Sequence, residues 1–359
     1  MGIKDRLQKL HLLLAEKEIE AILISQPQNR YYLSGFDGSS GLLLITPQKA
    51  ILATDFRYIE QAQQQAPEYE IFKMTGNIAD WFLKLVDGLR LRRLGFEAEH
   101  TSFDRYRQLS DILDEEEPQL RLMPTDRLVE SLRALKEPEE IEFITRAMEI
   151  SDNAFDHTAG IIHAGMSEQE IAWELEKFMR ENGSESLPFN IIVASGPNSA
   201  LPHAKTSPRI INDGEPVVID MGARLGGYGS DLSRTICLGS PDKTFKKIYN
   251  TVLKAQQAAI TKIEEGMTGE QADSFAREII EQEGYGEAFG HSLGHGVGLA
   301  PHELPHLGPN STDTLTSGMA FTIEPGIYLP GWGGVRIEDT VIMQSGKIKL
   351  TSKAKKEKF

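Results

Sequence analysis

Apolar positions along the chain follow two alternating periods. Leu7, Leu10, Leu13 and Leu14 recur at helical spacing and mark one face of a first helix. Ala21-Ile22-Leu23-Ile24-Ser25 then reads as a buried strand, and residues 31–36 as a short helical or extended piece ending near Gly35. Residues 41–46 and 50–54 form a hairpin pattern with Pro47 and Gln48 in its turn. Helical patterns near 56–65, 77–87 and 102–113 alternate with strands at 70–74, 93–97 and 120–124. This predicts an α/β domain with a mixed sheet over residues 1–126, with no phosphate-binding loop. The acid run at 114–117 reads as a solvated turn.

A linker helix is expected within 127–137, followed by a second domain over 138–359. Pro138 opens its first helix at a position where a missing N–H does no harm, and Ile141, Ile144, Met148 and Phe155 give that helix an apolar face. Ser167 and Glu170 form a capping box for the next helix, to about Met179. Extended patterns follow over 189–195 and 216–238. The same order then recurs: a long helix from about Asp242 to about Glu264, a second capping box at Thr268 and Gln271 with its helix, then extended segments over 291–350. The second domain therefore reads helix, helix, strands, twice.

The repeat extends to individual residues. Ile219-Asp220-Met221-Gly222 is followed by Gly227-Tyr228-Gly229 and Asp231; Ile323-Glu324-Pro325-Gly326 is followed by Gly331-Trp332-Gly333 and Glu338. In both copies the acid and the Gly-aromatic-Gly motif are offset by seven residues. This suggests two related hairpins, each carrying two carboxylates.

Composition narrows the class. The 359 residues carry a net charge of −15, which argues against nucleic-acid binding. No apolar run approaches the roughly 18 residues of a spanning helix. The N-terminus lacks the apolar core of a signal peptide. A lone cysteine, Cys237, cannot form an internal disulfide, so a reducing cytoplasm is the simplest compartment. The basic tail at 353–358 reads as a solvated end.

Taken alone, Asp220 and Asp231 fit either strand-end acids beside a turn or ligands for a cation, because buried carboxylates are costly unless paired or metal-bound. The stretch Gly290-His291-Ser292-Leu293-Gly294-His295-Gly296 favours the second reading. His295 lies between glycines that permit close backbone approach. Imidazole with carboxylates suits manganese, cobalt, iron or zinc. Two metals sharing carboxylates can activate a bridging water and polarise a carbonyl.

With these motifs the chain resembles the "pita-bread" metallopeptidases, within them the Xaa-Pro aminopeptidase (aminopeptidase P) and Xaa-Pro dipeptidase (prolidase) branch. The resemblance implies an α+β fold: a pita-bread (creatinase/aminopeptidase-like) catalytic domain of duplicated halves, preceded by a smaller α/β creatinase-N-like domain. It implies two divalent metal ions, manganese first, with Asp220, Asp231, His295, Glu324 and Glu338 as ligands. Glu324 is also implied as acceptor of the proton from the nucleophilic water, a hydroxide held between the metals. His203, His291 and His302 match the histidines of the substrate side. The resemblance implies that His203 helps bind substrate and shuttle protons, that His291 lines the proline pocket, and that His302 bonds the scissile carbonyl or the tetrahedral intermediate. Arg336 matches an arginine near the ligands, where a purely structural pairing fits equally well. Phe189 stands where some aminopeptidase P members have a tyrosine and receives no role. His306, His11, His100, His157 and His163 read as structural or surface residues.

The implied activity is removal of an N-terminal residue ahead of proline. Action on Xaa-Pro dipeptides alone is the close alternative. A non-enzymatic binding protein on the same fold is disfavoured because all five ligand positions are filled. A peptide with proline in second position is the expected partner, with no nucleic acid and no membrane, and the resemblance adds a homodimer.

Overall fold

The computed structural model describes residues 2–356. The chain divides into two compact units, Met1–Arg133 and Ala134–Phe359.

The first unit begins with helix α1 (Ile3–Glu16), which buries Leu10 and Leu14. A sheet of six strands follows: β1 (Ala21–Ile24), β2 (Leu42–Ile45), β3 (Ala50–Thr54), β4 (Glu70–Lys73), β5 (Arg93–Glu97) and β6 (Arg121–Thr125). Their order is β4-β3-β2-β1-β5-β6. The β1-β2-β3 meander is antiparallel and the outer pairings are parallel, which makes the sheet mixed as the pattern implies. Helices α2 (Pro27–Ser34), α3 (Ile59–Gln65), α4 (Ile78–Val86) and α5 (Phe103–Glu116) connect the strands, and α6 (Leu128–Ala134) follows β6. The run at 114–117 is not the expected turn. Helix α5 buries Leu109 and Leu113 and carries its helical turn on through Glu116, and Pro118 then disfavours further helix.

One carboxylate in this unit is fully engaged. Glu97 ends β5, is buried, and accepts hydrogen bonds from Ser25 N (2.6 Å), Gln26 N (2.7 Å) and Asn29 Nδ2 (2.7 Å). It thereby fixes the Ser25-Gln26 segment that leads into α2 and holds Asn29 in the first turn of that helix.

The second unit holds the duplication. Helices α7 (Pro138–Ile161) and α8 (Glu168–Glu181) precede β7 (Ile192–Ser195), β8 (Pro216–Met221), β9 (Arg224–Leu225), β10 (Tyr228–Gly229) and β11 (Leu232–Cys237). Helices α9 (Lys243–Lys262) and α10 (Gly269–Gln282) then precede β12 (Gly294–Gly296), β13 (Glu303–Leu307), β14 (Ala320–Ile323), β15 (Gly326–Leu329), β16 (Gly333–Arg336), β17 (Asp339–Gln344) and β18 (Lys347–Leu350). Both capping boxes form: Ser167 with Glu170, and Thr268 with Gln271.

The sheets are β11-β8-β7 and β13-β12-β14-β17-β18, with two-stranded ribbons β9/β10 and β15/β16 at the hairpin tips. Each half buries its own core, around Phe155, Leu175 and Ile219 in the first and Phe245, Tyr249 and Phe321 in the second. Full burial of each such side chain contributes about 2 kcal/mol. The halves are joined along β11: Glu338 N donates to Ser233 O (3.0 Å), Thr340 Oγ1 to Asp231 O (2.8 Å) and Thr235 Oγ1 to Arg336 O (2.8 Å).

The tail departs from expectation. Ala354 is buried, Asp152 accepts from Lys353 N and Ala354 N, and Lys356 Nζ pairs with the buried Asp339 (2.5 Å). Asp339 also holds Arg234 (2.8 Å), so the tail supplies a second cation to a carboxylate that burial alone would penalise. Residues 357–359 of that basic run lie outside the described residues.

Candidate active site

Both hairpins end on the same cluster of charged residues. Asp220 is near the end of β8, opposite Ser233 in the β8/β11 ladder, and Asp231 immediately precedes β11. In the second hairpin, Ile323 pairs with Asp339, which sets Glu324 and Glu338 opposite each other one step beyond the ladder. The two copies share a plan but not a register: the first carries its acids two positions out of opposition.

His295 enters from β12, the strand between β13 and β14. A Cβ on Gly294 would lie 2.0 Å from Thr322 O, and one on Gly296 would lie 2.1 Å from Leu304 O. Only glycine on each side lets the three strands close around the histidine. Its Nδ1 lies 3.1 Å from Gly296 O, a group that only accepts, so Nδ1 carries the proton and donates. Nε2 then faces the acids, 3.2 Å from Glu324 Oε1 and 3.8 Å from Asp231 Oδ2. A histidine fixed in this tautomer by a backbone carbonyl is the usual form of a metal-binding imidazole. Ligand atoms of Asp231, His295 and Glu338 all lie within 4.8 Å of one another.

The electrostatics of the cluster are those of charge without enough compensation. Burial, then the charges of Glu338, Asp220 and Glu324, pushes Asp231 well above the usual carboxylate range. Burial, then Glu324 and Asp220, does the same to Glu338. Asp220 is raised as well, by burial ahead of any neighbour, although Arg336 opposes the shift. Its Oδ1 is buried and finds no hydrogen-bond partner among the described residues. Glu324 is the exception. Burial works against its ionisation, but the hydrogen bond and charge of His295 bring it down to about 2. The same contact lifts His295 against its own burial.

Arg336 ties the cluster together. It is buried, and its guanidinium donates to Asp220 Oδ2 (2.6 Å), Ser233 Oγ (2.9 Å), Tyr328 OH (3.0 Å) and Pro202 O (3.1 Å). Ser233 Oγ in turn donates to Glu338 Oε2 (2.8 Å). One planar fork thus orients two of the carboxylates and the loop before His203. Tyr328 OH, receiving from Arg336, lies 3.0 Å from His291 Nε2. Because His291 Nδ1 faces Ser292 O at 2.8 Å and must donate, Nε2 accepts from the tyrosine. Burial holds His291 below the usual histidine range, in keeping with that neutral form.

His302 is exposed and stands edge-to-face on His295, with ring centroids 4.2 Å apart. Burial and the neighbouring His295 charge lower its pKa. His203 is exposed at its loop tip, and its charge acts on both His291 and His302. All nine residues singled out in the sequence therefore come together. His306, set aside in the sequence, is exposed and hydrogen-bonded to Ser292 Oγ at 3.2 Å. Phe189 packs beside Gly222.

Tyr328, Ser233 and Thr322 were not anticipated. Thr322 Oγ1 receives from His295 N (3.1 Å) and donates to Glu324 Oε1 (3.0 Å). All three occupy ordinary strand positions, and strand patterning does not distinguish a hydroxyl that faces a carboxylate from one that faces the core.

The two-unit architecture, the duplicated second unit and this acid–imidazole centre define a metallopeptidase. The chain belongs to metallopeptidase family M24, whose model matches residues 142–345, and residues 6–135 match the creatinase/prolidase N-terminal domain. It is therefore an enzyme of a family that works with divalent metal ions. Over nearly its whole length it is similar to an Xaa-Pro dipeptidase from Bacillus anthracis: TM-score 0.94, 43% identity, 99% of each chain. It is similar to an Xaa-Pro dipeptidase of Pyrococcus furiosus at 38% identity over 99% of each chain. An X-Pro aminopeptidase from Thermotoga maritima matches with TM-score 0.85 and 38% identity, covering 96% of this chain and 98% of that one. Among the described residues no helix is long and apolar enough to cross a membrane.

Proposed function

We propose that this chain hydrolyses the Xaa-Pro bond of short peptides, with dipeptides as its foremost substrates. Two divalent metal ions, manganese first, would be held by Asp220, Asp231, His295, Glu324 and Glu338. The observation that carries this reading is the convergence of the Asp231, His295 and Glu338 ligand atoms within 4.8 Å. The donor set fits metal ions: a buried carboxylate oxygen of Asp220 without a partner, a fixed Nε2 and mutually repelling acids. Metal bound there supplies Lewis acidity, which acidifies water and polarises a carbonyl.

The chain's own residues account for the rest. Glu324, ionised at neutral pH, accepts the proton of the attacking water at a carboxylate oxygen. His302 donates an N–H to the oxygen of the scissile carbonyl as charge develops there. His203 delivers a proton to the departing proline nitrogen. His291, kept neutral by burial and hydrogen-bonded to Tyr328, forms one wall of the proline pocket. Arg336 fixes Asp220 and the approach to His203.

The sequence placed aminopeptidase action first; full-length likeness to two Xaa-Pro dipeptidases favours dipeptides. The Thermotoga maritima relative keeps the aminopeptidase as a second reading. A homodimer and a cytoplasmic location belong to the same proposal, the latter suited to a single buried Cys237 whose thiol burial pushes up to about 11.

The test is turnover of Xaa-Pro and Xaa-Pro-Yaa peptides after chelation and after reconstitution with manganese, cobalt or zinc. Metal-restored cleavage, faster on the dipeptide, is expected. Faster cleavage of the tripeptide would move the assignment to the aminopeptidase. Absence of metal-dependent cleavage on both would sink it.

A further inference from the structure

His203 is carried by a loop, residues 195–207, between β7 and the approach to β8. His203 itself is exposed, while Ser199 and Ala204 of the same loop are buried. The base of the loop is held differently. Glu168, the first residue of α8, is fully buried, and both its oxygens are spent on the two ends of this loop. Oε1 accepts from Ser195 N (2.8 Å), Ser195 Oγ (2.8 Å) and Asn198 Nδ2 (3.1 Å). Oε2 accepts from Ser207 N (3.1 Å) and Ser207 Oγ (2.6 Å). One carboxylate therefore closes the segment at both ends. The tip is caught separately where Arg336 donates to Pro202 O, next to His203.

The chemistry suits a clamp. A carboxylate is an acceptor with about four lone-pair sites, and it can gather backbone and hydroxyl donors from two strands of a loop at once. Bonds to an ionised acceptor are short and about twice as strong as neutral ones. The N-terminal turn of α8 favours the negative charge. Arg209 lies behind Ser195, 2.6 Å from its Oγ, and pairs with Glu215, so the counter-charge sits one hydroxyl away and leaves Glu168 free for the loop. A neutral amide at the same place would offer one acceptor atom and turn a donor towards the other end of the loop.

We infer that Glu168 is a positioning residue for the peptidase reaction, acting through the loop that presents His203. The inference rests on the peptidase reading of the site. Glu168→Gln should keep its metal content and lower kcat/KM on an Xaa-Pro dipeptide about tenfold. In a His203→Ala background the same change should add less than twofold, since both act through one imidazole. Ser207→Ala, which removes the hydroxyl bond to Glu168 and the bonds that hydroxyl accepts from Arg209 N and Asn198 Nδ2, should show the same dependence at about threefold. Amide exchange over residues 196–206 should accelerate in Glu168→Gln while α9 and α10 remain unchanged.

Full kcat/KM in metal-loaded Glu168→Gln, or losses that multiply with those of His203→Ala, would overturn the inference. So would unchanged exchange in the loop. If the wild-type chain cleaves no Xaa-Pro peptide, the peptidase reading fails on its own. The exchange measurement then still decides whether Glu168 holds the loop. Should Glu168→Gln fold poorly, Ser207→Ala carries the same test.

Discussion

Glu97 and Glu338 are both buried carboxylates at the ends of strands, but their surroundings differ completely. Glu97, in the first unit, accepts from two backbone amides and the Asn29 side chain. Glu338, in the second, accepts from Ser233 Oγ while Asp231, Asp220 and Glu324 crowd it with like charge. A buried charge surrounded by donors is complete as it stands and belongs to the fold. One surrounded by other acids is complete only with a cation. The difference between structural and functional acid therefore lies in the donors, since burial is shared.

The sharpest way to break the contrast is to remove each kind of acid. Asp231→Ala should bring peptidase activity to background and reduce metal content, as read by elemental analysis. The metal-free form of that variant should be no less stable to urea than metal-free wild type, because a repelling charge has gone. Glu97→Ala should do the opposite. It removes the acceptor shared by Ser25 N, Ser25 Oγ, Gln26 N and Asn29 Nδ2 and should cost about 3 kcal/mol in urea unfolding, with metal content unchanged. If Asp231→Ala retained both metal and turnover, the assignment of the cluster would be wrong.

Chelation tests the same idea without mutation. Metal at about 100 times its Kd should stabilise wild type by about 2.7 kcal/mol over the stripped protein, seen as a concentration-dependent Tm. Asp231→Ala should lose most of that gain. A smaller effect is expected from Arg336→Lys, since one ammonium cannot replace a fork that bonds Asp220, Ser233, Tyr328 and Pro202 together. Steady-state kinetics and metal titration should show a loss of about ten- to a hundredfold. The smallest is Tyr328→Phe. It removes the bond to His291 and the one received from Arg336, together worth about 1 kcal/mol, or roughly fivefold in kcat/KM.

Much of this was legible in the sequence because it rests on local rules. Capping boxes, the two-residue and helical apolar periods, and the seven-residue offset between acid and Gly-aromatic-Gly all act over a few neighbours. The duplicated acids and the glycine-flanked His295 marked the candidate site, and the resemblance to the pita-bread metallopeptidases supplied the expected ligand set. What could not be read depends on which strands meet. Ser233 faces Glu338 across more than a hundred residues, and Glu168 reaches Ser207 across a loop. The tail failed for the same reason: Lys356 reads as a solvated lysine until Asp339 is found beside it. The acid run at 114–117 failed for another, since helix α5 needed only its apolar face to continue through it.

That docked tail also sets an order in time. Domains fold as units while the chain emerges from the ribosome, N-terminal regions first. The first unit has all its strands once β6 has emerged. Asp339, directly beside Glu338, gains its second cation only when Lys356 has been made, more than 200 residues after Asp152, which binds the tail's backbone. The carboxylate beside Glu338 therefore receives its full counter-charge only after α7–α10 have all been made.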